Sequence, residues 1–194
     1  MKQQQRRLIN VIFGRLVLLV IFAVPMTPLQ AAASPECKDT RGLEILPYQL
    51  SESEGLRYRI NKRLGKTRGQ ARRGQDVIVD PERGNCLACH QISVLEKLAD
   101  SENPAAKLRF GYQGTVGATL DGVGTKYSTG ELRLILVDPK QAFPDRDIAM
   151  PSYYQKDNLV DVTPSCQGRP LLSARDIEDV VAYLASLKEE IKRQ

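Results

Sequence analysis

The sequence predicts an all-α domain behind an irregular N-terminal extension, and three observations predict it. Ile177, Val180, Val181, Leu184, Leu187 and Ile191 recur at helical spacing after a Ser173/Asp176 capping box, so the last element reads as an amphipathic helix. Two shorter stretches, 69–79 and Thr129–Val137, also read as helices, the second stopped by Asp138-Pro139. Between them lies Asn85-Cys-Leu-Ala-Cys-His90, in which Cys86, Cys89 and His90 form C-x-x-C-H.

The spacing of that motif has a chemical reason. Two thiols three positions apart on a helical turn can each reach one vinyl group of the same porphyrin. The next residue can then place its imidazole under the ring as an axial iron ligand. The motif therefore predicts one covalently attached haem c. His90 is the only histidine in the chain, so no other imidazole is available. A structural zinc site needs four ligands, and only Cys37 and Cys166 remain, far apart and without paired neighbours. A redox dithiol needs neither the adjacent histidine nor an export signal.

An export signal is present. The chain has 194 residues, an ordinary length for one domain. It begins with Lys2, Arg6, Arg7 and Arg15, continues with an apolar core over 16–24, and reaches Ala31-Ala-Ala-Ser34. Residues 1–33 read as a secretory signal peptide. The apolar core is short of the roughly 20 residues that span a bilayer, which leaves an uncleaved anchor as the alternative. The expected organisation is a signal at 1–33, an irregular extension at 34–69 and a helical domain at 70–194. Removing the four leader cations takes the formal net charge from +5 to +1, so the basic composition gives no support for nucleic-acid binding.

Export also sets the redox compartment. With two of the four cysteines assigned to haem, Cys37 and Cys166 form an even pair where disulfides persist. A bridge between them would stabilise the fold by roughly 4–5 kcal/mol in the chain-entropy model. Free thiols, or a disulfide to another chain, are the competing readings.

Residues 37–69 carry little periodicity, and Ser51-Glu-Ser-Glu-Gly55 reads as an exposed turn. A basic run follows: Arg57, Arg59, Lys62, Arg63, Lys66, Arg68, Arg72 and Arg73, with no acid among them. It reads as a docking face for an acidic partner or as a solvated surface. The helix over 69–79 contains Val77, Ile78 and Val79, whose branching weakens helix propensity without forbidding it. Pro81 and Gly84 end it. After His90, Ile92, Val94, Leu95 and Leu98 fit a helix or a loop wrapped over the ring. Gly111, Gly114, Gly117, Gly122 and Gly124 read as a tight loop close to the haem edge, since glycine permits close backbone approach. Residues 138–170, rich in proline, read mostly as loop.

An electron-transfer haem calls for a second protein ligand. Met1 and Met26 lie in the leader, so Met150 is the only methionine of the mature chain. Pro151 biases it toward an extended backbone, which suits a side chain reaching inward from a loop. A core-filling methionine is the alternative role, and lysine or cysteine are the alternative ligands.

These features resemble the class I cytochromes c. More narrowly, the chain is similar to the SoxX family, the monohaem cytochromes of bacterial sulfur oxidation. The words that carry this are Gly84-Asn-Cys-Leu-Ala-Cys-His90, Gly122-Val-Gly-Thr-Lys-Tyr127, Met150-Pro-Ser-Tyr-Tyr154 and Asp179-Val-Val-Ala-Tyr-Leu184, within about residues 70–190. The resemblance implies a class I cytochrome c-like helical haem domain, with haem on Cys86 and Cys89 and iron between His90 and Met150. It also implies a SoxA-like haem subunit as partner, a SoxYZ-like carrier whose cysteine receives thiosulfate, and a small cytochrome c as electron acceptor. One departure stands out. Class I cytochromes show Gly-Pro in the loop whose carbonyl accepts from the proximal histidine, and Gly117-Ala118 stands there in this chain. A carbonyl needs no particular side chain, so the hydrogen bond can survive while the stiffness of proline is lost.

Three functions follow as expectations. The chain is a periplasmic electron-accepting subunit of a SoxAX-type thiosulfotransferase, a free-standing periplasmic electron carrier, or a thiol or metal protein without haem. Nothing in the sequence forms a catalytic triad or a paired-carboxylate site. His90 cannot serve as a general base while it ligates iron.

Overall fold

The computed structural model describes residues 45–100, 102–156 and 168–188. The leader, Cys37, Cys166 and Ile191 lie outside the described residues. Two short strands, β1 (Ser51–Glu52) and β2 (Tyr58–Arg59), pair antiparallel with Ser51 opposite Arg59 and Glu52 opposite Tyr58. Helix α1 (Ala71–Val79) leads to a 3₁₀ turn at Cys86–Ala88, followed by α2 (Ser93–Ala99) and α3 (Pro104–Phe110). Then come α4 (Val123–Lys126), α5 (Thr129–Val137), α6 (Pro139–Ala142) and α7 (Ala174–Ser186).

Local chemistry sets the helix starts. Ser173 Oγ accepts from Asp176 N (3.1 Å) while Asp176 returns a bond to Ser173, the capping box the sequence predicts. Ser128 and Glu131 form a second capping box at α5. Asn103 caps α3 with Pro104 in its first turn, and Asp138 caps α6 with Pro139 there. Asp138-Pro139 therefore stops one helix and starts the next.

Helix α1 lies against α7, burying Gly74, Val77 and Ile78 against a face that includes Ile177, Val180, Val181 and Leu184. Each fully buried aliphatic side chain stabilises by roughly 1.5–3 kcal/mol. Contact is close at Gly74, where a Cβ would stand 2.0 Å from the carbonyl oxygen of Asp179. This crossing carries α1, and with it the attachment turn, on the terminal helix.

Residues 45–70 fasten onto the helices through polar groups. Glu131 accepts from Ser53 Oγ and Leu56 N, both at 2.7 Å. Arg133, 4% exposed, makes two bonds to Glu178, at 2.7 and 2.9 Å, and donates to Ile60 O at 2.6 Å. Glu178 also accepts from Leu64 N, and Asp179 from Gln70 N. Tyr154 Oη accepts from Leu46 N (3.0 Å). A buried ion pair is costly to desolvate, and these backbone bonds supply the remaining partners that offset the cost.

Several expectations are corrected. The Ser51–Gly55 turn is the start of a small hairpin; two residues per strand are too few to show a period. Glycine-rich 111–124 is not loop throughout, because Gly111 caps α3 and Gly124 sits in α4. A Cβ on Gly124 would meet the carbonyls of Leu184 and Ala185 at 2.6 Å, so its role is to seat α4 on α7. Of the two readings after His90 the helix is the one found, α2, with Leu95 buried and Val94 and Leu98 outward.

Gly74→Ala should lower stability by about 1–3 kcal/mol in thermal unfolding. Elsewhere in a helix the same change gains up to about 1 kcal/mol; an unchanged or raised melting temperature would contradict the close crossing.

Burial pushes Glu131 upward, but hydrogen bonds from Ser53, Ser128 and Leu56 N outweigh it and bring the carboxyl from 4.5 down to about 2. A depressed folded-state pKa stabilises above the unfolded value and is lost as pH falls through the folded one. Stability should therefore decline between about pH 4.5 and 2, and Glu131→Gln should flatten that decline in acid titrations followed by circular dichroism.

Candidate haem-attachment site

The attachment turn begins at Asn85, which adopts a left-handed backbone (φ 47°) that asparagine tolerates better than most residues. Cys86 O then accepts from Cys89 N (3.2 Å) and His90 N (2.9 Å), closing a single turn. Cys86 is buried and Cys89 exposed, and both thiols are unpaired. Burial pushes the Cys86 thiol up to about 12. Among the described residues, no cluster of three or more His, Cys, Asp or Glu is arranged to hold a metal ion.

A second segment runs alongside this turn in the same direction. Gly114 N donates to Leu87 O (2.8 Å), Gly117 N to Cys89 O (2.8 Å) and Leu120 N to Gln91 O (2.9 Å). Gln113 Oε1 accepts from Ile92 N, and Asp121 accepts from both Ser93 N and Ser93 Oγ. Glycine is required at two of these points. A Cβ on Gly114 would stand 2.0 Å from Ala88 O, and one on Gly117 would stand 2.4 Å from His90 Cε1.

The segment fixes His90. Its Nδ1 lies 2.6 Å from the carbonyl oxygen of Ala118, so Nδ1 carries the proton and donates. The departure from Gly-Pro at 117–118 leaves this bond in place, because the acceptor is backbone. With Nδ1 committed, the Nε2 lone pair is left for a metal, and the acceptor on the far nitrogen raises ligand basicity. Two unpaired thiols on one turn beside an imidazole held in that tautomer are a donor set that fits a covalently attached haem.

Met150 is half-buried and packs on the apolar core. The residues after it are tightly held. Tyr153 N donates to Leu136 O and Leu172 N to Tyr153 O, both at 3.0 Å. Tyr153 Oη donates to Gly84 O at 2.9 Å, tying the methionine segment to the attachment turn. The structure thus places Cys86, Cys89 and His90 on one turn, and links Met150 to that turn through a tyrosine three residues on. Sequence reasoning missed Tyr153 as a site residue, although Met150-Pro-Ser-Tyr-Tyr154 was the signal. It also missed Leu108 and Tyr112, 90% and 76% exposed, which border a cleft with Leu87 and Ala88 on the attachment turn. Of the basic run, Arg73 pairs with Asp179 (3.2 Å), while Arg57, Lys62, Arg63, Lys66, Arg68 and Arg72 are exposed.

Comparison with known proteins agrees with this geometry. The cytochrome c family profile matches residues 71–188. A crystal structure of SoxXA from P. pantotrophus contains a chain 31% identical to this one, with a TM-score of 0.55, covering 72% of this chain and 95% of that one. None of the curated proteins gives a significant match.

Gly117→Ala should drive the His90 ring off Ala118 O. The variant should show a heterogeneous visible spectrum and lose about 1–3 kcal/mol of stability. Ala118→Gly, which keeps the carbonyl, should retain the parent spectrum; loss of the parent spectrum there instead would place the control of His90 elsewhere.

Proposed function

This chain belongs to the cytochrome c family and is of the SoxX type, and we propose that it is the electron-accepting subunit of a SoxAX-type thiosulfotransferase. Family membership implies covalently attached haem c. We assign its attachment to Cys86 and Cys89, the proximal ligand to His90 and the distal ligand to Met150. The observation that carries the reading is the His90 Nδ1–Ala118 O bond beside two unpaired thiols. When bound, the haem supplies a one-electron ferric/ferrous couple, and a thioether ligand raises its potential relative to a second histidine.

The residues divide the remaining work. Ala118 O holds the imidazole in its metal-binding tautomer. Tyr153 ties the Met150 segment to the residue before the attachment turn, and Met150 packs on the apolar core. With His90 and Met150 both given to iron, no position would be left open for a sulfur substrate, and bond-making would belong to a partner. Joining thiosulfate to a carrier thiol forms one S–S bond and releases two electrons. This chain has a single C-x-x-C-H and takes one at a time. A partner centre and re-oxidation by a small cytochrome c follow from that count. The structural relative is a SoxXA assembly, which supports a SoxA-like partner here. The exposed cations between Arg57 and Arg72 offer a face for an acidic surface. The leader at 1–33 directs the chain to the periplasm, and no helix among the described residues is long and apolar enough to cross a membrane.

The test is reconstitution. The purified chain alone should be inert toward thiosulfate and a carrier thiol. With a SoxA-like subunit it should form a stable complex, turn over and become reduced. Met150→Ala should abolish the weak sulfur-to-iron charge-transfer band at the red end of the ferric spectrum. Turnover by the isolated chain, or full turnover by a complex lacking this chain's haem, would overturn the assignment.

A further inference from the structure

We propose that Tyr153 is a positioning residue that latches the distal loop to the attachment turn and so sets how firmly Met150 is held. The inference rests on the assignment of Met150 as the distal ligand. Tyr153 is 7% exposed, and its Oη–H donates to Gly84 O at 2.9 Å. The sulfur of Cys86 lies within hydrogen-bonding reach of the same hydroxyl. Gly84 is itself fixed, since its N–H donates to Val77 O on α1 at 3.1 Å. A Cβ at Gly84 would stand 2.6 Å from Val77 O and 3.2 Å from Cys86 Sγ, so Gly84 lies tightly against α1. At the other end, the Tyr153 backbone is held to Leu136 and Leu172. One phenol therefore joins the loop of one proposed axial ligand to the turn that carries the other.

Tyr154 provides the contrast. It is also buried, at 1% exposure, and its hydroxyl accepts from Leu46 N in the N-terminal extension. Removing either hydroxyl deletes a hydrogen bond of a buried tyrosine, but the bond lost in Tyr153 is the one to Gly84, beside the attachment turn, and the bond lost in Tyr154 is the one to Leu46.

The experiment uses the haem-loaded full mature chain and its Tyr153→Phe, Tyr154→Phe and Met150→Ala variants. Imidazole, which competes for the distal position of ferric iron, is titrated into each, and reduction potential and thermal stability are measured. Losing a neutral buried hydrogen bond from the closed loop should tighten imidazole binding in Tyr153→Phe by about three- to tenfold. Its reduction potential should fall, because a loosened thioether favours ferrous iron less. Tyr154→Phe should lose stability while keeping the parent imidazole affinity and potential. If both tyrosine variants lose stability and neither shifts imidazole affinity or potential, Tyr153 is only structural and the latch is wrong. Equal shifts in both variants also overturn it, since the effect would then be general loosening. Retention of the charge-transfer band in Met150→Ala would instead overturn the ligand assignment, and the latch with it.

Discussion

One hydrogen bond organises the site, from His90 Nδ1 to Ala118 O at 2.6 Å. An imidazole can ligate iron through either nitrogen, and a free ring rotates between poses. Committing Nδ1 as donor leaves a single nitrogen and a single orientation. The acceptor is a backbone carbonyl, so it must be delivered by the path of the chain. The segment from Gln113 to Asp121 therefore has to lie along the attachment turn, bond by bond, and it can do so only where Gly114 and Gly117 remove the Cβ. The glycines are consequences of that approach.

The attachment turn needs a rigid base as well. It hangs from the end of α1, and α1 is held by α7 through a crossing that Gly74 makes close. Around this crossing the acids have an unusual task. Glu131, Glu178 and Asp179 are all buried, and each accepts a backbone N–H from the extension, from Leu56, Leu64 and Gln70 respectively. Buried carboxylates are tolerable only when their lone pairs are filled. Here the extension supplies one backbone donor to each, Arg133 neutralises Glu178, and Arg73 pairs with the second oxygen of Asp179 at 3.2 Å. The same bonds that settle the acids hold a segment with little apolar surface of its own. The extension thereby acts as part of the helical core's polar shell.

The Met150 segment follows the same logic. Two consecutive tyrosines bond to different parts of the chain, Tyr153 to the attachment turn and Tyr154 to the extension. A short loop between proline-rich stretches gains its order from these two phenols and from the backbone bonds to Leu136 and Leu172.

The C-x-x-C-H motif, the terminal helix and its capping box, the helices over 71–79 and 129–137 and the lone mature methionine were all legible in the sequence. Each rests on local information, either a fixed spacing of reactive groups or a period of apolar residues beside a cap. Helices α3, α4 and α6 were not legible, because helices of seven, four and four residues show little more than one or two turns of period and depend on Asn103, Gly122 and Asp138 to begin. The hairpin at 51–59 was too short to alternate. The partners of His90 and Tyr153, and those the extension gives the buried acids, lie 28 to 114 residues away in sequence, and no spacing rule reaches that far. The sequence by itself offered the two thiols, the imidazole and the thioether proposed to attach and ligate a haem. The tertiary structure alone decided which carbonyl orients the imidazole and which phenol holds the methionine loop, because those choices are made by backbone paths meeting in space.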